Sequence, residues 1–222
     1  MHTSLENLNL VKNKVNELID KKQLKTNPKI IVVSKAFPLD KILPLLNDGH
    51  EHFGENKIQE AENKWRDIRK NNNIIKLHMI GNLQTNKAKK AVQLFDYIHS
   101  LDNKKLAIKI AEYQKILNKK IKLFIQVNFA NEKQKSGISL KELNDFYHFC
   151  NKELSLNIIG LMCFPPFNID PVKYFIAARK LALDLNLKEL SMGMSTDYEH
   201  AVTNGSTFLR LGAAILGKRI IT

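Results

Sequence analysis

Eight short apolar runs, separated by longer stretches with helical spacing, constrain this chain more than any single residue does. They fall at residues 29–34, 51–54, 76–80, 96–100, 121–128, 156–162, 189–192 and 207–211. The first is the clearest: Ile30-Ile31-Val32-Val33 sets four β-branched residues in a row behind Pro28, which suits a buried strand. Amphipathic spacing predicts connecting helices over 39–48, 57–70, 85–94, 104–117, 140–151, 171–185 and 197–203. Gly49 closes the first of these and Pro171 opens the sixth, each where its backbone preference fits. One more helix precedes them all over 5–22, with Leu8, Val11, Val15, Leu18 and Ile19 at helical intervals.

Strictly alternating strands and helices pair in parallel through right-handed crossovers. The expected fold is α/β: a single (β/α)8 TIM-type barrel over residues 1–222 with an extra N-terminal helix. A doubly wound open sheet is the alternative, but its glycine-rich phosphate turn is missing after the first strand, where Lys35-Ala36-Phe37-Pro38 stands.

Composition removes several functions. No apolar run approaches the roughly 20 residues that span a bilayer, and residues 1–20 lack the continuous apolar core of a signal peptide. A soluble cytoplasmic protein with no membrane contact is expected. Cys150 and Cys163 form neither a disulfide framework nor a metal-type spacing. The net charge of +13 invites a polyanion partner. Only five of the 35 basic residues are arginine, however, and the lysines are spread along the chain beside 23 asparagines, with no run of five like charges. Solvated helix faces are expected, not a nucleic-acid surface.

In such a barrel the active face lies at the C-terminal strand ends. Lys35 follows the first strand and Asn56 the second; His78 lies on the third. Ser191-Met192-Gly193-Met194-Ser195 follows the seventh strand, and Arg210-Leu211-Gly212-Ala213-Ala214 the eighth. Partial burial would lower the pKa of Lys35 and leave an amine able to attack an aldehyde, although a lysine snorkelling at the rim fits the same position. The small-residue loops after the last two strands suit a phosphate held by backbone N–H groups, or simply tight packing. Arg210 ends a buried strand as a fixed cation; its alternative is a structural ion pair, with Asp197 as the candidate partner.

Taken together these blocks resemble the pyridoxal phosphate homeostasis protein family. They are Val32-Val33-Ser34-Lys35; Phe53-Gly54-Glu55-Asn56-Lys57 with Gln59-Glu60; His78-Met79-Ile80-Gly81 with Leu83-Gln84-Thr85-Asn86-Lys87; and Lys135-Ser136-Gly137. Gly160-Leu161-Met162, Leu190 to Ser195 with Asp197, and Gly205 to Gly212 with Gly217 complete the set, in family order from residue 31 to 219.

The resemblance implies a fold-type III, alanine-racemase-like barrel that carries pyridoxal 5′-phosphate (PLP) as a Schiff base on Lys35. It also implies that Asn56 lies near the ring, that Ser195, Gly212 and Ala213 cradle the phosphate, and that Arg210 faces the pyridine nitrogen. His78 and Met194 are implied pocket-lining positions. Three positions depart from the family pattern: Ala213 for the usual Thr, Asn82 for Pro and Leu216 for Phe. The implied role is vitamin B6 and amino-acid homeostasis without robust catalysis, with PLP-requiring apoenzymes as possible recipients; a racemase-like enzyme is the alternative. Racemisation needs an acid/base on both faces of the α-carbon. In alanine-racemase-like enzymes a tyrosine from a second domain of the partner subunit supplies one of them. With Thr222 soon after the eighth strand, that domain is expected to be absent and the chain monomeric.

Overall fold

A computed structural model of the chain describes residues 3–70, 72–129, 136–166 and 168–218. Lys135 of the resemblance block, Arg219 and Thr222 lie outside the described residues.

The strands are β1 (Lys29–Val33), β2 (His52–Glu55), β3 (Lys76–Met79), β4 (Tyr97–Leu101), β5 (Lys122–Asn128), β6 (Ile138–Ser139), β7 (Ile158–Cys163), β8 (Glu189–Ser191) and β9 (Phe208–Leu211). Eight of them close a parallel barrel in the order β1-β2-β3-β4-β5-β7-β8-β9, with β9 returning to β1 at Ile31↔Arg210. The two-residue β6, not expected from the sequence, adds outside the ring beside β5 at Val127↔Ile138.

The helices are α1 (Thr3–Lys22), α2 (Leu43–Asn47), α3 (Ile58–Lys70), α4 (Ala88–Leu94), α5 (Lys104–Ile116), α6 (Leu143–His148), α7 (Val172–Asp184), α8 (Tyr198–Thr203) and α9 (Ala213–Leu216). The helix expected over 39–48 is broken into a 3-10 turn, Leu39–Lys41, and the short α2. Pro44 accounts for the break: without an N–H and with its ring against the preceding turn, it is tolerated only where a helix starts. α5 starts where Asn103 Oδ1 accepts the Leu106 N–H at 2.9 Å.

Strand alternation sorts the residues into two layers. Ile30, Val32, Phe53, Leu77, Met79, Ile98, Leu123, Leu161 and Leu209 point outward into one large apolar cluster with the inner faces of the helices. Fully burying such a side chain contributes about 1.5–3 kcal/mol. The alternate residues Ile31, Tyr97, Phe124, Met162 and Phe208 form a small cluster inside the barrel, in ring contact with His52, His78 and His99. α7 lies over β7 and β8, and α1 packs across α8 and α9, where Asn7 Nδ2 donates to Ile215 O at 3.0 Å.

Candidate functional site

A cavity of about 270 Å³ opens at the C-terminal end of the barrel. Its walls include Lys35 and Val33 from β1 and the turn after it, Asn56 after β2, Met194 and Ser195 after β8, and Arg210, Gly212 and Ala213 at the end of β9. Seven of the eight residues singled out from the sequence therefore meet at one place. His78 is not among the lining residues. It lies fully buried inside the barrel, bonded to two other imidazoles.

Inward parity brings Val33 and Lys35 to the cavity and sends Ser34, between them, outward. There Ser34 Oγ donates to Glu55 Oε1 at 2.7 Å, and the same oxygen accepts Lys64 Nζ at 2.9 Å and Trp65 Nε1 at 3.0 Å. Lys64 Nζ also donates to Ser34 O at 2.7 Å and to Glu60 Oε1 at 3.1 Å. Glu60 in turn accepts the N–H of Ala36, which holds a left-handed φ of 60°. Both neighbours of Lys35 are thus tied to one cluster on α3 and β2. Glu55 is fully buried and the Lys64 side chain only 9% exposed. Sequence reasoning missed this cluster, although the Phe53-Gly54-Glu55-Asn56 block and the i,i+4 pair Glu60/Lys64 are plain in the chain.

Across the cavity Arg210 is 4% exposed. Its Nη1 donates to Ser191 Oγ at 2.7 Å and its Nη2 to the Cys163 carbonyl at 3.0 Å. Burial lowers its pKa to about 10, against weaker upward pulls from Cys163 and Asp197, so it stays cationic at neutral pH. The alternative of an ion pair with Asp197 does not hold. Among the described residues no carboxylate lies within bridging distance of Arg210, and Asp197 Oδ1 accepts the Met194 N–H instead. A guanidinium has five N–H donors, so three remain beyond those two bonds.

The loops after β8 and β9 complete the far wall. Gly193 has φ +93°, and a Cβ there would come within 2.6 Å of the Ala201 Cβ; its carbonyl accepts the Arg210 N–H at 2.9 Å. Ser195 Oγ accepts the Ala214 N–H at 3.1 Å, seating the hydroxyl on the first turn of α9. With the Ala214 N–H taken by Ser195 and the Ile215 N–H by the Gly212 carbonyl, the Ala213 N–H is the amide of this turn left for an anion beside the Ser195 hydroxyl. Asn56 Oδ1 is buried without a partner among the described residues, leaving an acceptor for a donor brought by a ligand. Amine, guanidinium, hydroxyl and unmet acceptor together suit a small planar carbonyl compound carrying an anionic group.

The sequence reading overlooked Ile80, Met162, Phe164 and Thr196 on the same walls. A wider recess of about 470 Å³ lies on the other side of Asn56, lined by Gln59, Gln84, Lys87 and Lys90 among others. It lacks the opposed amine and guanidinium. Among the described residues no cluster of His, Cys, Asp or Glu could hold a metal, and no helix is long and apolar enough to cross a membrane.

The alanine racemase N-terminal domain family matches residues 7–219. The pyridoxal phosphate homeostasis protein of Vibrio cholerae is 33% identical over 205 residues, 88% of this chain and 87% of its own. That of Escherichia coli K12 is 32% identical over 199 residues, 86% and 85% respectively. Among solved structures, PipY of Synechococcus elongatus with PLP bound superposes with a TM-score of 0.80 at 32% identity, covering 91% of this chain and all of that one. An alanine racemase of Clostridium difficile, 13% identical with a TM-score of 0.72, shares the fold over 56% of its length.

Proposed function

The chain belongs to the alanine racemase N-terminal domain family, and within it to the pyridoxal phosphate homeostasis proteins; from that premise we propose that it binds PLP between Lys35 and Arg210 and carries it as a Schiff base. What supports this reading above all is the convergence of Lys35, Ser195 and Arg210 on one cavity. Lys35 would hold the cofactor through its aldehyde, the group that supplies the carbonyl chemistry of the site. The Ser195 hydroxyl and the Ala213 N–H would hold the phosphate, Asn56 would offer its unmet oxygen near the ring, and Gly212 would leave room at the wall.

Arg210 faces the ring nitrogen. A permanent cation there disfavours a second proton, so the bound ring is a weaker electron sink than one paired with a carboxylate. Lys35 is also the sole wall residue suited to general-base work among the described residues: the lining includes no His, Tyr, Asp or Glu. Tyr97 is buried inside the barrel, while Tyr113, Tyr147, Tyr174 and Tyr198 belong to surrounding helices. These features favour a carrier acting in vitamin B6 and amino-acid homeostasis, passing PLP to apoenzymes that need it, over an enzyme that exchanges the α-proton on both faces.

Borohydride reduction followed by peptide mapping tests the assignment. The expected label is on the Lys35 peptide, and Lys35→Ala retains at most non-covalent PLP. A label on another lysine that persists in Lys35→Ala overturns it. Inversion of L-amino acids with α-proton exchange at substantial turnover would overturn the carrier role.

A further inference from the structure

A continuous string of hydrogen bonds runs down the barrel interior from the cavity wall. Arg210 Nη1 reaches Ser191 Oγ at 2.7 Å, and that oxygen lies 2.8 Å from His99 Nδ1. His99 Nε2 is 2.9 Å from His78 Nδ1, and His78 Nε2 is 2.9 Å from His52 Nδ1. Ser191, His78 and His99 are fully buried, and His52 is the first residue of β2, at the N-terminal end. The rings are packed as well as bonded: His78 stacks on Tyr97 and His99 on Phe124, with centroids 4.2 Å apart in both pairs.

The two ends of the string are unequal. A guanidinium donates and never accepts, so the Ser191 oxygen is an acceptor toward Arg210. The buried Ser191 hydroxyl hydrogen then has His99 Nδ1 as its acceptor; leaving it unpaired would cost about 1–3 kcal/mol. His99 must therefore carry its hydrogen on Nε2 and give it to His78 Nδ1. His78 in turn carries its hydrogen on Nε2 and gives it to His52 Nδ1. At the far end no lysine among the described residues competes to reverse the order. Lys122 Nζ donates to the Tyr97 hydroxyl, Lys76 Nζ to the Asn73 carbonyl, and Lys29 Nζ lies over the Phe208 ring.

We propose that Ser191 and the neutral imidazoles of His99, His78 and His52 form a one-way relay that holds the Arg210 guanidinium in place and directs the relay's hydrogens away from the cavity. They are positioning residues for Arg210. The relay has no hydrogen aimed at the cavity, so it cannot protonate the ring nitrogen of a bound cofactor; that consequence rests on the PLP reading, whereas the direction of the relay does not. A second proton on His78 or His52 would set N–H against N–H, one on His99 would meet the Ser191 O–H, and each would add a cation between Arg210 and the lysines at the opposite end. In keeping with that geometry, burial and neighbouring charge hold His78 and His99 well below the usual imidazole value, and His52 at about 4.

Histidine tautomers read by 15N NMR test the relay without any cofactor present. The cofactor-free protein at neutral pH is expected to show Nε2–H with bare Nδ1 at His52, His78 and His99. The reverse tautomer or a mixture at His78 or His99 overturns the proposal. Arg210→Met removes the donor that sets the direction, and mixed tautomers at His99 are expected; wild-type tautomers in that variant overturn the role given to Arg210. Should Arg210→Met not fold, Ser191→Ala cuts the same link with a smaller change. Titrated with PLP, Ser191→Ala is expected to bind about tenfold more weakly, the equivalent of one hydrogen bond to a charged group, with a shifted absorbance band. Wild-type affinity with an unchanged band would overturn the positioning role. If the wild-type protein bound no PLP, the function proposed above would fall while the tautomer result still decided the relay.

Discussion

Lys35 and Arg210 stand on opposite walls of one cavity and are held by opposite means. At Lys35 the clamp grips the main chain on both sides, through Ser34 and Ala36, and is built from charges: Glu55, Lys64 and Glu60. At Arg210 the side chain itself is gripped, by a serine hydroxyl and a carbonyl, and neutral imidazoles back it. The difference follows from location. The Lys35 clamp sits between β2 and α3, where Glu60 is 29% exposed and water can share the charge. The Arg210 clamp sits inside the barrel, where a second ion would lack hydration. Chemistry separates them too. On the proposed function, an amine that is to bond an aldehyde needs its main chain fixed, whereas a cation that is to set a nitrogen's protonation needs its tip fixed.

The largest effect that could break this comparison is at Glu55. Its carboxylate takes three donors in a buried site, so Glu55→Ala leaves Trp65 Nε1 without its acceptor, Lys64 with Glu60 and the Ser34 carbonyl alone, and the Ser34 hydroxyl with only the Gly54 carbonyl at 3.4 Å. Loss of one partner of a buried ion pair costs about 3–5 kcal/mol. Urea denaturation should show that loss for Glu55→Ala and for Lys64→Met singly, with much of it recovered when an apolar pair replaces both. A loss below about 1 kcal/mol for either single variant would mean that the clamp is worth no more than a surface ion pair and does not fix the main chain at Lys35.

Next comes acid sensitivity, which belongs to the Arg210 side. His52 is lowered to about 4 by burial first and by neighbouring positive charge second, and burial holds His78 and His99 well below the usual imidazole value. Unfolding returns these rings to about 6.5, so between that value and about 4 the unfolded chain binds more protons than the folded one. Their contribution to stability is full above about pH 6.5 and declines as the pH falls through that window. His50, also lowered to about 4, adds a background of the same sign. Stability measured at pH 7.5, 6.5 and 5.5 should fall with acid, and His99→Phe should flatten the decline. An equal slope in wild type and His99→Phe would remove the neutral-interior half of the comparison.

The two clamps also differ in how legible they were. Lys35, Ser195, Gly212 and Arg210 could be read because each stands at or just beyond the end of an apolar run, and strand ends are where a parallel barrel gathers its polar groups. Alternation also told which face each residue takes: Leu77 and Met79 are apolar and outward, so His78 had to point in. It did not tell depth, so His78 passed for a wall residue when it lies buried inside the barrel, bonded to His52 and His99 on the two neighbouring strands. Glu55 was hidden for the complementary reason. Its partners Lys64 and Trp65 lie on α3, and only the packing of α3 against β2 brings their donors to one oxygen. The split of the first connecting helix could have been read from Pro44; the two-residue β6 gave no periodic signal.

The smallest expected effect sharpens the comparison by testing a third point of attachment. Ala213 is exposed at the start of α9, on the cavity wall, where the family pattern has threonine. Ala213→Thr adds a hydroxyl beside the turn seated on Ser195 and meets no buried neighbour, so folding stability should stay within about 0.5 kcal/mol of wild type. PLP affinity should rise by about 1 kcal/mol, the worth of one hydrogen bond, or roughly fivefold in equilibrium titration. That result would leave Lys35 and Arg210 as the dominant anchors, with the phosphate end as a modest adjuster. A gain of about a hundredfold would place most of the grip on the phosphate, and the contrast between the two clamps would then concern reactivity and not retention. No gain at all would mean that the α9 turn lies out of reach of the phosphate, and that Ser195 serves only to cap Ala214.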